Sequence, residues 1–98
     1  MKLLTEEIKK KLPPLYANES LPDAGDAIAQ VKFFNPTGMG TWYATEFDGE
    51  DSFFGLVDLF EKEIGYFSLS ELESVKLRFG LSIERDLHFT PQPIKNFM

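Results

Sequence analysis

The chain has 98 residues, and ten Lys and Arg against sixteen Asp and Glu give it a formal net charge of −6. This length predicts a single domain over residues 1–98. The acidic balance argues against direct binding of nucleic acid or of an anionic membrane surface, because both need a cationic protein face. Cys is absent, which excludes disulfides, thiolate metal sites and Cys nucleophiles.

The start of the chain does not have the pattern of a signal peptide. Met1–Leu4 is followed directly by Thr5-Glu6-Glu7, so no apolar segment of about 7–15 residues develops. No run approaches the roughly 18 apolar residues of a membrane span. We therefore expect a cytoplasmic protein that does not enter a membrane.

The first half of the chain predicts one helix and three strands. Residues 5–12 form a helix with Thr5 as its N-cap, stopped by Pro13-Pro14, and residues 17–26 form a loop. Residues 27–34 alternate as in a strand, and the side chains on its apolar face are Ala27, Ala29, Val31 and Phe33. Segments 41–48 and 52–57 continue as strands, so 27–57 is predicted to be an antiparallel meander.

The second half predicts a fourth strand at 64–67, a helix and a fifth strand at 83–89. Ser68 with Glu71 forms a capping box. The helix face that follows contains Leu69, Leu72, Val75, Lys76 and Phe79, and Gly80 terminates it. The predicted fold is α+β, with a mainly antiparallel sheet of four to five strands and two helices packed on it.

Adjacent aromatic pairs lie on several strands, for example Phe53-Phe54 and Tyr66-Phe67, and neighbouring residues of a strand point to opposite faces. If the helices cover one face of the sheet, the aromatic side chains on the other face need a cover of their own. We favour coverage by loops and the C-terminal tail; the alternative is an exposed aromatic patch for a protein partner or for self-association. Gly55, inside a strand pattern, indicates a bulge or close packing.

Two acidic residues in the second predicted strand are candidates for chemistry. Glu46 and Asp48 are two residues apart, so both should project from one face, together with Trp42. Paired carboxylates can bind a divalent cation or perform acid–base catalysis. A solvated hairpin end, the explanation that we favour, accounts for Asp48, Glu50 and Asp51. His88, the only histidine, lies in no nucleophile motif. We assign no catalytic residue, metal site or cofactor.

The net charge is concentrated in one segment. Residues 46–63 contain seven acidic residues and one basic residue, whereas the flanking segments are neutral. A solvated edge is one interpretation, and the other is an acidic and aromatic surface that docks on a basic partner. The candidate binding residues are Trp42, Glu46, Asp48, Glu50, Asp51, Glu61 and Glu63.

Several strings, among them PPLYA at 13–17 and TWYATEFDGED at 41–51, resemble a small bacterial domain-of-unknown-function family, family 2958. The resemblance runs nearly from end to end of the chain. It implies a single-domain cytoplasmic protein, often encoded on mobile elements, and it supplies no catalytic residues.

Our functional hypothesis is a non-enzymatic protein-interaction module that uses the acidic and aromatic surface. An inhibitor of a nucleic-acid-binding or defence protein would be one form of it. The alternative is a small hydrolase or metal-dependent enzyme that uses Glu46, Asp48 and His88.

Overall fold

The computed structural model describes residues 2–98; Met1, the first residue of the segment considered for a signal peptide, lies outside the described residues. The regular elements, in chain order, are α1 (Glu6–Lys11), β1 (Ile28–Ala29), β2 (Val31–Phe34), β3 (Thr41–Phe47), β4 (Ser52–Asp58), β5 (Lys62–Ser68), α2 (Leu69–Ser74), β6 (Glu84–Arg85) and β7 (Gln92–Pro93). Short 3₁₀ turns lie at Ala24–Asp26, Arg78–Gly80 and Ile94–Phe97. The predicted α+β class with a mainly antiparallel sheet is confirmed.

Five strands form one antiparallel sheet in the order β5-β4-β3-β2-β6. The predicted meander is its centre, and the four-residue strand predicted at 64–67 is longer, because β4 and β5 pair from Ser52 opposite Ser68 to Asp58 opposite Lys62. The fifth predicted strand shrinks to the two residues of β6, which pair with Phe33 and Phe34.

The strand predicted over 27–34 is interrupted at Gln30. β1 pairs with β7 in a separate two-stranded sheet, and the Gln30 N–H donates to the Ala44 carbonyl at 2.9 Å. The predicted burial pattern nevertheless holds, because all four residues of the apolar face are buried. The prediction that they share one face is wrong, however, because Ala29 belongs to one core cluster and Val31 and Phe33 belong to another, on the opposite side of the sheet.

The first face of the sheet carries the larger core cluster. Phe53 is at its centre and contacts three other rings, with centroid distances of 5.4 Å to Phe33, 4.6 Å to Phe47 and 5.2 Å to Phe67. The segments that complete this cluster supply Leu3, Leu4, Leu12, Leu72 and Ile83.

The C-terminal tail covers part of the second face of the sheet, as the favoured interpretation of the aromatic pairs predicted. Phe97 stacks on Tyr43 with ring centroids 4.2 Å apart, and Ile94 is buried beside Leu56. The coverage ends before β5, where Tyr66 is 57% exposed.

Both helices begin as predicted, and the second is shorter than predicted. Thr5 caps α1 by accepting the Ile8 N–H at 3.2 Å, and Ser68 caps α2 by accepting the Glu71 N–H at 3.3 Å. α2 ends at Ser74, whose hydroxyl bonds back to the Glu71 carbonyl, and the chain continues extended. Phe79 therefore does not face the core: it is 92% exposed, with a left-handed φ of 61°.

Candidate functional site

A β-bulge in β3 determines where the candidate carboxylates lie. Ala44 pairs with Gly55 of β4, but Glu46 pairs with the adjacent Phe54, so Thr45 is an extra residue on β3. The extra residue turns Glu46 to the second face, whereas Trp42 and Ala44 stay with the first-face cluster. The prediction that Trp42 and Glu46 share one face is therefore wrong.

Gly55 permits this close approach of the two strands. A Cβ at this position would lie 1.9 Å from the Tyr43 carbonyl oxygen, a distance that no side chain can occupy. The Thr45 hydroxyl adds a hydrogen bond of 3.0 Å to the Phe54 carbonyl. The expectation of a bulge or close packing at Gly55 is confirmed.

Glu46 is buried, with 3% of its surface exposed. One carboxylate oxygen accepts the Tyr16 N–H at 2.8 Å and the other accepts the Asn18 N–H at 2.9 Å. Tyr16 has a left-handed φ of 71°, an uncommon conformation for a residue with a side chain. Glu46 thus fixes the turn at 15–20 against the sheet and is not part of an exposed acidic surface.

A cavity of about 270 Å³ opens above this carboxylate; we call it the Glu46 cavity. Its buried residues are Ala27, Thr45, Glu46 and Ile94. Its other lining residues are Tyr16, Asn18, Glu19, Leu21, Ala24, Phe54, Ile64 and Tyr66. The cavity lies on the second face beside β5, where the C-terminal tail no longer covers the sheet.

Tyr16 and Tyr66 form the exposed mouth of the cavity, at 65% and 57% exposure. A hydrogen bond to Tyr16 raises the pKa of Tyr66, and partial burial and the nearby carboxylates of Glu46 and Glu19 raise it further. Tyr66 also packs edge-to-face against Phe54, with the ring centroids 4.9 Å apart.

Asp48 stabilises its own turn. Its Oδ1 accepts the N–H groups of Glu50 and Asp51, each at 2.8 Å, and that of Ser52 at 3.1 Å. These backbone hydrogen bonds favour the ionised form and lower the pKa of Asp48.

Asp51 joins that turn to the start of α2. Its carboxylate accepts the Ser68 hydroxyl at 2.5 Å, the Ser70 N–H at 2.8 Å and the Ser70 hydroxyl at 2.9 Å. These hydrogen bonds, that of Ser68 first, lower the pKa of Asp51. Of the three acidic residues at this turn, only Glu50 presents a carboxylate for which no protein partner is described.

Glu61 and Glu63 lie beyond the other end of β4. The rise per residue of a strand places that end about 20 Å from the β3–β4 turn. There the β4–β5 turn exposes Leu59 and Phe60, and Leu59 approaches Gly40, which also contacts Trp42. We call this region the hairpin-tip surface; its residues are Met39, Trp42, Asp58, Leu59, Phe60, Glu61 and Glu63. The seven predicted binding residues are thus divided among the Glu46 cavity, the β3–β4 turn and the hairpin-tip surface.

His88 lies in a different region again. It lines a shallow depression with Lys32 and Asp86, which form an ion pair at 3.8 Å, and the backbone N–H of His88 donates to Asp86 Oδ1 at 2.9 Å. Glu46, Asp48 and His88 therefore do not meet in one cavity. Among residues 2–98, no group of three or more His, Asp or Glu is arranged to hold a metal ion.

Sequence reasoning missed the Tyr16–Tyr66 pair and the cavity behind it. The only signal in the sequence was Gly55, which indicates a bulge without saying which residue the bulge displaces. The residues of the cavity come from five separated parts of the chain, and no periodic pattern connects them.

A family model described as "Protein of unknown function (DUF2958)" matches residues 3–98. No curated protein and no solved structure matches the chain. Within residues 2–98, neither helix has the length and apolar character that crossing a bilayer requires.

Proposed function

The chain belongs to the DUF2958 family of proteins of unknown function, and for this member we propose the role of a non-enzymatic protein-interaction module that docks through the hairpin-tip surface. The observation that carries the proposal is Phe60, a large apolar side chain that is 94% exposed at the tip of a hairpin. Burying such a ring yields about 1.5–3 kcal/mol, a gain available only on contact with a partner.

The surroundings of Phe60 extend the apolar area. Met39 is 62% exposed and Leu59 42% exposed, and both belong to the same end of the sheet. Beneath them the partly buried Trp42 joins the first-face core, where Gly40 lies against both Trp42 and Leu59. Leu59 therefore rests on a packed base, which reduces the entropic cost of docking at that part of the surface, whereas Phe60 itself projects into solvent.

Charge indicates the chemistry of the partner. Asp58, Glu61 and Glu63 flank the exposed ring, with Lys62 as the one cation of the same turn. An acidic rim around an apolar centre complements a partner with a cationic face. A nucleic-acid-binding protein has such a cationic face. One form of the proposal is therefore that this chain is a bacterial protein encoded on a mobile element, and that it occupies the nucleic-acid site of a defence protein.

The test is affinity capture from a lysate of the producing cells, with the wild-type chain compared with three variants. Phe60→Ala removes the apolar anchor, Glu61→Lys with Glu63→Lys reverses the acidic rim, and Glu50→Lys reverses one charge at the opposite end of the sheet. We expect the first two variants to lose the same basic proteins and Glu50→Lys to retain them.

Retention of every captured protein by Phe60→Ala and by the double charge reversal would overturn the proposal. Light scattering adds a second criterion. Self-association that disappears in Phe60→Ala would identify a second copy of the chain, and not a basic protein, as the occupant.

A further inference from the structure

We infer that the Glu46 cavity is a binding site for a small organic cation with an aromatic body, such as an arylalkylamine. This inference is independent of the docking surface, because the cavity and the hairpin-tip surface share no residue. Three properties of the cavity carry it: its size, the sign of its charge and the groups that remain free to accept hydrogen bonds.

The size suits a single ring with a short chain. A dry cavity of about 150 Å³ admits benzene, and the Glu46 cavity measures about 270 Å³. The additional space corresponds to a short aminoalkyl chain. Its walls are apolar where a ring would lie, with Leu21, Ala27, Ile64 and Ile94 among the lining residues.

The charge selects a cation. Glu46 at the base and Glu19 nearer the mouth are the charged members of the twelve described lining residues, which include no Lys, Arg or His. An anionic ligand would meet two carboxylates without a compensating cation. A neutral ligand would leave the buried carboxylate without a partner for its free lone pairs.

The base of the cavity can receive an ammonium group. Glu46 uses one acceptor position on each oxygen for the Tyr16 and Asn18 N–H groups, and a carboxylate has about four such positions. The Thr45 hydroxyl donates to Phe54, so its oxygen still accepts. Both residues are almost fully buried, at 3% and 1% exposure, so an ammonium ion would be held away from water.

The mouth can hold the rest of the ligand. Tyr16, Phe54 and Tyr66 present three aromatic rings, and rings attract both cations and the edges of other rings. Because Tyr16 and Tyr66 are more than half exposed, a ligand can contact both rings from the solvent side of the cavity.

The test is a titration of the full chain with three probes that share a 2-phenylethyl group, with NMR and calorimetry as the readouts. Phenethylamine carries the cation, phenethyl alcohol is neutral and hydrocinnamate is an anion. We expect saturable binding of phenethylamine with shifts at Thr45, Glu46 and Tyr66. The alcohol should bind at least tenfold more weakly, and hydrocinnamate should not bind.

Variants locate the site. Tyr66→Ala removes an exposed ring of the mouth, and Ala24→Phe fills the cavity from an exposed position; we expect each to weaken phenethylamine binding at least tenfold. Phe60→Ala is the matched control, because it removes an equally exposed ring outside the cavity and should leave the affinity unchanged. Failure of phenethylamine to bind, equal binding of all three probes, or unchanged affinity in Tyr66→Ala would each overturn the inference.

Discussion

At the scale of single residues, the most consequential side chain is Glu46. Its carboxylate accepts two backbone N–H groups from a turn that lies 30 and 28 residues earlier in the chain. A hydrogen bond to a charged acceptor in a buried place is stronger than one between neutral groups. Glu46 therefore stabilises the left-handed conformation of Tyr16 and the base of the cavity at the same time.

We predict that Glu46→Gln lowers the free energy of unfolding by about 1–3 kcal/mol, since an amide nitrogen would face one of the two N–H donors and leave it unpaired. Urea denaturation measures the effect. Glu19→Gln, which removes the same charge from an exposed lining residue, should change stability by less than about 0.5 kcal/mol. Equal effects of the two substitutions would contradict this role of Glu46.

Gly55 gives a second prediction at the residue scale. Gly55→Ala places a methyl group 1.9 Å from the Tyr43 carbonyl oxygen, so β3 and β4 must separate. We expect a loss of about 3 kcal/mol or more, measured by thermal denaturation. Gly65 pairs with Gly55 across the strands and has open space at its Cβ, so Gly65→Ala is the control and should be close to neutral. A stable Gly55→Ala protein would show that the bulge can relax.

At the scale of elements, the β3–β4 turn and the start of α2 behave as one unit. Asp48 closes the turn, and Asp51 reaches from the turn to Ser68, the N-cap of α2, and to Ser70 in its first turn. The Leu69 N–H donates to the Asp51 carbonyl at 2.8 Å and adds a backbone link. Asp48 and Asp51, which were predicted to belong to a recognition surface, thus stabilise the turn and join it to α2.

This unit should respond to acid. The pKa values of Asp48 and Asp51 are both lowered from the ordinary 3.8, so the folded state binds fewer protons than the unfolded chain. Their stabilisation is complete above that value and is lost as the pH falls through the lower folded-state pKa. We expect Asp51→Asn to flatten the decline of stability below about pH 4.

Urea denaturation at a series of pH values measures that decline. Glu50→Gln is the control, because it removes a neighbouring charge that makes none of these hydrogen bonds. If Asp51→Asn and the wild type lose stability in parallel on acidification, Asp51 does not couple the turn to α2.

Local patterns anticipated the elements whose pairing partners are close in sequence. Thr5 and Ser68 cap helices, as their types and positions indicate, and β2, β3 and β4 follow one another with short turns. The errors arise where distant segments compete. Gln30 interrupts a predicted strand because β7, more than 60 residues later, pairs with β1, and α2 ends early where an extended segment follows.

The candidate site was harder to predict than the fold. The bulge at Thr45 moves one side chain to the other face of the sheet, and alternation assumes an uninterrupted strand. The acidic residues of 46–63 are close in sequence, but a seven-residue strand carries them to opposite ends of the sheet. Counting charges along the sequence identifies the acidic segment 46–63. Only the pairing of the strands shows that its acidic side chains lie at opposite ends of the sheet.

At the scale of the whole molecule, two phenylalanines of one hairpin show how differently the same residue type contributes. Phe53 is completely buried among three rings, whereas Phe60 is 94% exposed. We predict that Phe53→Ala costs about 3–5 kcal/mol and that Phe60→Ala changes stability by less than about 0.5 kcal/mol. Thermal denaturation of both variants measures this contrast. A large loss of stability in Phe60→Ala would assign its ring to the fold and remove it from any docking surface.

The C-terminal tail has a consequence for the motions of the molecule. Ile94 belongs to both the second-face core and the cavity lining. Its segment is held by the stack of Phe97 on Tyr43, by two β1–β7 residue pairs, by the hydrogen bond from the Ile94 N–H to the Ala27 carbonyl at 2.9 Å and by an exposed Lys95–Asp26 ion pair. Because β7 pairs with no strand of the five-stranded sheet, we expect the tail to unfold locally, which would open the side of the cavity that Ile94 forms without melting that sheet. Amide hydrogen exchange at Ile94 would then report the cavity's occupancy, because a ligand bound only to the closed form slows that opening by mass action.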